Sequence, residues 1–293
     1  MTDTIECRYH GRDFTATEMA LLRELIAGPP ALNRHLLSKE FCRRIGWYKA
    51  DGGLKDMMAR VVMLAMHRDG RIELPPPKRT RPPRRPATFG PDTEAPLLPP
   101  PTTLDEVRPV ELRTVVRGDR WGKLWNEYVA RYHYLGYTTL VGAQMRYAVH
   151  ANDGTPLAML GFSTAAWTLA PRDRFIGWSR PMREKNLPLV VDNPRFLILP
   201  WIHIPNLGSH ILALVRQRLA GDWSERYNTT PVLIETFVET PRYTGAVYRA
   251  SGWTHVGATQ GRGRYDTKNR YDKPKKDIWL RPLRKDWKRI LNR

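Results

Sequence analysis

At 293 residues, 41% of them hydrophobic, the chain has the length for one large or two modest domains and the apolar content for a packed core. A formal charge of +19 points to a polyanionic partner, nucleic acid first, while no apolar run approaches the roughly 20 residues of a spanning helix, which sets membrane insertion aside. The N-terminus MTDTIECRYH is unlike a signal peptide and the two cysteines lack zinc-site spacing, so a cytoplasmic protein with free thiols at Cys7 and Cys42 is expected.

In chain order, residues 1–74 read as a helical domain. Thr15-Ala16-Thr17-Glu18 is a capping entry to a helix with Met19, Leu22, Leu25 and Ile26 on one face, stopped by Gly28-Pro29-Pro30. LNRHLLSKEFCRRIGW and GGLKDMMARVVMLAMHRDG read as two more helical units, and RIELP as an extended segment behind the glycine turn. Three short helices and an extended segment resemble a winged helix-turn-helix, with Arg43, Arg44 and Lys55 as phosphate contacts; the competing reading is a small helical interaction domain. Residues 75–103 read as a linker, because their proline density forbids regular helix or interior strand. Arg79, Arg81, Arg84 and Arg85 within it form either a solvated spacer or an arm along phosphates.

Residues 104–293 read as a second domain of α+β class with a basic tail. DRWGKLWNEYVARYHYLG is an amphipathic helix, and Asn152-Asp153-Gly154 is a hairpin turn between two strands. RFLILP is strand-like, HILALVRQRLAGDWSERY helical, PVLIETFVE strand-like, YTGAVYRASGW a short helix, and THVGATQGRG a last strand. Trp167, Trp178, Trp201 and Trp223 are assigned to the core. The order resembles the second half of the GNAT acetyltransferase fold, most closely at Tyr248-Arg249-Ala250-Ser251-Gly252-Trp253, which is similar to that family's Tyr-x-x-x-Gly-Phe helix end. In the GNAT family a Gln/Arg-x-x-Gly-x-Gly/Ala loop holds coenzyme A diphosphate on backbone amides at a helix start. Here Asn206 stands at the first glycine and Pro205 removes a donor beside it, so acetyl-CoA is not expected.

A second resemblance spans most of the chain. His133-Tyr134-Leu135-Gly136, Ile176-Gly177-Trp178, the run Asn193-Pro194-Arg195 with FLILP behind it, Glu235-Thr236-Phe237-Val238-Glu239 and Gly261-Arg262-Gly263-Arg264 are similar to the DruA family, a component of the Druantia anti-phage system with stand-alone relatives near mobile elements. That resemblance implies DNA handling in defence or transposition, with other defence or mobile-element proteins or a second copy of the chain as partners. Glu239 departs from it, standing where an aspartate is expected.

The candidate chemistry centres on Glu235 and Glu239, four apart in a strand and so on one face, able to hold Mg²⁺ or to act as acid and base, or else to pair with neighbouring arginines. His133 is either a general base or phosphate contact or a hydrogen-bonded structural residue. Tyr248 reads as a GNAT-type general acid, as a nucleophile toward DNA, or as packing beneath Trp253, with Tyr243 competing for the nucleophile role. Arg262, Arg264, Lys268, Arg270, Lys275 and Lys276, interleaved with aromatic rings, suit phosphate contact with base stacking. The leading expectation is a DNA-binding protein that cleaves or joins strands, as a transposase or nuclease does. The alternatives are an acyl-CoA-dependent N-acyltransferase and a non-catalytic DNA-recognition module.

Overall fold

A turn at His10 and Gly11, both at positive φ (49° and 80°), folds Ile5–Tyr9 (β1) back onto Arg12–Thr15 (β2). Two left-handed residues match the twist of a tight hairpin, and glycine takes the second at no steric cost. The computed structural model describes residues 3–29, 31–77, 89–116, 118–262 and 271–293, and the chain divides into two compact units, 1–85 and 86–293.

In the first unit Ala16–Ala27 (α1) opens on a complete capping box between Thr15 and Glu18. Asn33 caps Arg34–Arg44 (α2) through the amides of His35 and Leu36, and Asp56–Arg68 (α3) packs against α2. Phe14, Leu22, Leu37, Phe41 and Met63 form the core, with Cys7 and Cys42 buried as free thiols. The winged-helix expectation is corrected here. The hairpin precedes the helices, and among the described residues of this unit no strand follows α3: Ile72 and Leu74 are buried in the core, with the Leu74 amide donating to His67 Nδ1 at 3.3 Å. The hairpin was hidden because its strands are short and charged and its turn is His-Gly rather than Asn-Gly. Arg43 and Arg44 both pair with Glu40 at 3.1 Å on the exposed side of α2, and Lys55 is exposed at the start of α3.

In the second unit, part of the expected linker is docked. The Gly90 amide donates to Glu127 at 3.1 Å, Thr93 is fully buried, and the hydroxyls of Tyr128 and Tyr132 donate to the carbonyls of Asp92 and Thr93. Proline density thus marks irregular backbone but not solvation. Arg79, Arg81, Arg84, Arg85, Arg264, Lys268 and Arg270 lie outside the described residues.

Leu104–Val107 (α4), Glu111–Thr114 (β3) and Arg120–Tyr132 (α5) follow, then Gln144–His150 (β4) and Pro156–Thr164 (β5), joined by the expected turn with Gly154 at φ 84°. Ala170–Ile176 (α6) and Arg180–Asn186 (α7) form an insertion before Val190–Ile198 (β6). Leu207–Tyr227 (α8), Leu233–Glu239 (β7), Ala246–Ala250 (α9), Thr254–Ala258 (β8), Lys276–Pro282 (β9) and Trp287–Leu291 (α10) complete the unit. The seven strands run in the order β3-β4-β5-β6-β7-β9-β8, antiparallel except at the β6/β7 junction. This mixed sheet flanked by helices is an α+β arrangement. Trp178 and Trp223 are buried, but Trp167, expected in the core, is 51% exposed at the start of the insertion. Among the described residues no helix is long and apolar enough to cross a membrane.

Candidate active-site cleft

The site begins where two parallel strands part. β6 pairs with β7 only from Val190↔Leu233 to Asp192↔Glu235, although β6 runs on to Ile198 and β7 to Glu239. Pro194, inside β6, has no N–H to donate to a neighbouring strand. At the fork the Thr236 hydroxyl donates to the Asn193 carbonyl at 2.9 Å, and the Asn193 amide nitrogen donates to the carbonyls of Gly161 and Arg195, each at 2.9 Å. Side chains therefore take over where the ladder stops, so the fork is held open without stranding buried backbone groups.

The opening is a cavity of about 420 Å³ whose lining includes His133, Tyr134, Asn193, Thr236, Tyr243 and Tyr248. Gly245, at φ 70° before α9, brings that helix so close that a Cβ there would stand 2.7 Å from the Trp279 ring. Tyr248, one turn on, is buried between Phe196 and Trp253 with its hydroxyl 3.4 Å from Asn193 Oδ1 and 3.5 Å from Thr236 Oγ1. Burial pushes the Tyr248 phenol well above 10, so it stays protonated at neutral pH.

His133 ends α5, and its Nδ1 accepts the Leu135 amide at 3.2 Å. Burial, then the charges of Arg195 and Lys276, lowers its pKa to about 4, which leaves the ring neutral with its proton on Nε2. It is a donor as it stands. Tyr134 stacks on His133 at 4.9 Å and is pushed up to about 12, by burial first and then by Glu239. Arg242 and Lys276 lie 5.2 and 5.6 Å from the Tyr134 ring, and both reach Glu239, at 3.5 and 3.7 Å. Tyr243, at 5.3 Å from Tyr134, is half-exposed at the rim, while Lys275 and Arg262 are exposed.

Glu235 is engaged elsewhere. Fully buried, it accepts the Ala166 amide on Oε1 and Arg172 Nη1 on Oε2, both at 2.8 Å, and Arg172, also fully buried, continues to Asp173 at 2.8 Å. Asp173 in turn accepts the Trp178 indole at 3.1 Å and pairs with Arg183 at 3.4 Å. The expected Mg²⁺ pair is thereby corrected: both oxygens of Glu235 are taken, Glu239 is held by two cations, and among the described residues no group of three or more His, Cys, Asp or Glu could hold a metal ion. Across the junction, Asp192 Oδ1 is shut off from solvent with no hydrogen-bond partner, and burial first, then the neighbouring Glu235 charge, raises that carboxyl well above 3.8. Arg172 and Asp192 had no spacing signal in the sequence; Asn193-Pro194 inside an apolar strand was the legible sign of an interrupted ladder.

The family profile described as Druantia protein DruA matches residues 95–272, more than half of the chain. The chain belongs to the DruA family. A search of curated proteins finds no match. Solved structures similar to this chain include the ribosomal-protein-S18-alanine N-acetyltransferase from Escherichia coli (9% identity, 60% of this chain and 95% of that one, TM-score 0.36). Nourseothricin acetyltransferase (12%, 60% and 99%, 0.36) and the spermidine/spermine N-acetyltransferase SpeG from Vibrio cholerae (12%, 61% and 96%, 0.33) are others. The DNA-processing expectation is corrected: Glu235, the carboxylate expected to drive strand cleavage, is fully buried in an ion pair with Arg172.

Coenzyme A, the cofactor implied by a GNAT-like fold, is fitted only in part. Beyond Asp192, β6 has a strand neighbour on one side only, and this edge lies beside the cavity. Asn206 sits at φ 63° with no side-chain cap bond, Pro205 has no N–H, and the Leu207 amide already donates to Ile204 at 3.3 Å. The amides of Gly208 and Ser209, next along α8, have no acceptor among the described residues, so the expectation against acetyl-CoA is not supported.

Proposed function

We propose that the C-terminal unit is an acyltransferase that holds an acyl thioester between β6 and β7 and passes the acyl group to an amine of a polyanionic acceptor, nucleic acid first. The observation that carries this reading is Tyr248, a phenol kept protonated by burial and lining the cavity where the strands part. A cavity of about 420 Å³ suits a small ligand and a few convergent polar groups. In the step itself the amine nitrogen bonds to the thioester carbonyl carbon, and the carbon–sulfur bond breaks with its electron pair on sulfur. Tyr248 supplies the proton that sulfur takes up, the surplus proton of the amine leaves to water, and Tyr248 is reprotonated from water. The His133 Nε2–H, on the same cavity wall, is a donor to the carbonyl oxygen as negative charge develops there. The acceptor class follows from the charge of +19.

The test is incubation of the full chain with radiolabelled S-acetylpantetheine or acetyl-CoA and DNA or RNA, following free thiol and label in the nucleic acid. Thiol release dependent on the acceptor is expected. Tyr248→Phe should lower the rate by about 10²- to 10⁴-fold with an unchanged melting temperature. If neither donor yields thiol or transferred label, the reading fails.

A further inference from the structure

The mouth of the cleft carries an aromatic and cationic rim that the transfer step itself does not use. Tyr243, 48% exposed, lines the cavity together with Tyr248, and its amide donates to the Glu239 carbonyl at 2.9 Å, which fixes the turn presenting the ring. Tyr134 lies 5.3 Å from it in the same lining. Arg242, its side chain 55% exposed, and Lys276 both lie against the Tyr134 ring, and both engage Glu239. The rim thus offers a ring face and surplus positive charge. Among the described residues no aspartate or glutamate lines the cavity.

An alkyl amine, such as a lysine or a polyamine, arrives as a cation. It needs a carboxylate to attract it and a base to take its proton before the nitrogen can attack. The cavity supplies neither, since Tyr248 and His133 both stand there as donors, and a chain of charge +19 repels such an acceptor. The amines of a nucleic acid differ. They are the exocyclic groups of adenine, cytosine and guanine, uncharged at neutral pH and carried on a flat ring that stacks on an exposed tyrosine, with phosphates alongside for Arg242 and Lys276. Tyr248 is buried behind the rim, so a base reaches it only after leaving its pair.

We infer that the acceptor is the exocyclic amine of an unpaired nucleobase, received at the cleft mouth by stacking on Tyr243. This rests on the acyl-transfer reading and names its acceptor. The exocyclic nitrogen bonds to the thioester carbonyl carbon, and the carbon–sulfur bond breaks with its electron pair on sulfur. Sulfur takes the Tyr248 proton, one amine proton leaves to water, and water restores the phenol. The product is an N-acyl base that keeps one N–H.

The experiment incubates the full chain with radiolabelled acetyl-CoA or S-acetylpantetheine and, in turn, a single strand of mixed sequence, its duplex, a strand of thymine alone, and spermidine. Thiol release and label are followed, and the modified base is identified by mass after digestion to nucleosides. Label is expected on adenine, cytosine or guanine of the mixed strand and absent from the thymine strand, which binds all the same. The duplex should react about tenfold or more slower, since each base must first leave its pair. Tyr243→Ala should weaken single-strand binding by about 5- to 150-fold, and Tyr243→Trp, which keeps a stacking face without the hydroxyl, should restore it. Label in the thymine strand, equal rates on the duplex, transfer to spermidine in place of nucleic acid, or unchanged binding by Tyr243→Ala would overturn the inference and leave acyl transfer standing. No thiol release with any acceptor would instead remove the acyl-transfer reading and the inference with it.

Discussion

Replacing Glu235 by glutamine should damage the fold rather than a reaction. The carboxylate is fully buried and divides its oxygens between the Ala166 amide and Arg172. Glutamine offers one acceptor and places an amide donor where another donor already points. Arg172 keeps Asp173 and the Ala166 carbonyl at 2.8 Å, so its charge is not wholly stranded. Leaving one partner of a buried pair uncompensated costs about 3–5 kcal/mol, and the retained Asp173 puts Glu235→Gln at or below the lower end of that range. For a unit of this size, 1 kcal/mol moves the melting temperature by about 2–4 °C, so a loss of up to about 6–12 °C is expected in the transition of the C-terminal unit. Arg172→Met should cost more, because it strands Glu235, and the double variant Arg172→Met with Glu235→Gln should recover part of the loss. Thermal melts of the full chain, followed by tryptophan fluorescence and circular dichroism, read all three. A Glu235→Gln protein that melts like the wild type would refute the structural assignment, and doing so while losing activity would return Glu235 to the site.

Two further perturbations test the geometry around the fork and the α8 start. Asp192→Asn should raise the melting temperature at pH 8 by more than at pH 5, because a carboxyl whose folded pKa is raised contributes stability below its ordinary value of 3.8 that is lost as pH rises through the folded value. Equal loss at both pH values would show that the aspartate carries its charge in a satisfied environment. Gly208→Ala should cost about 1–3 kcal/mol through the contact at Val247, and Val247→Ala in the same chain should restore most of it; additive losses would mean that α8 and α9 do not meet there.

The elements legible in the sequence were those whose signal is local. The capping box at Thr15, the turn at Gly154 and the strand, helix, strand, helix series from β6 to β8 all rest on spacing within a few residues. β9 was missed as a strand because its place between β7 and β8 is a long-range pairing, Glu235↔Leu280 and Thr254↔Leu280, that no local pattern encodes. The same limit explains the site. Reading Glu235 and Glu239 as one face of a strand was sound geometry, but a face says nothing about what covers it. Arg172 covers Glu235 from an insertion 63 residues upstream, and Lys276 meets Glu239 from a strand 37 residues downstream. Tyr248 differs because its role depends on the helix end it belongs to, and that helix end is written in adjacent residues: Gly245 sets the approach to Trp279, and Trp253 packs the ring. Carboxylates in this chain are therefore to be judged by the distant cations that reach them, and the tyrosine by its own turn, which is why the reading of the cleft rests on Tyr248 and not on the acidic pair.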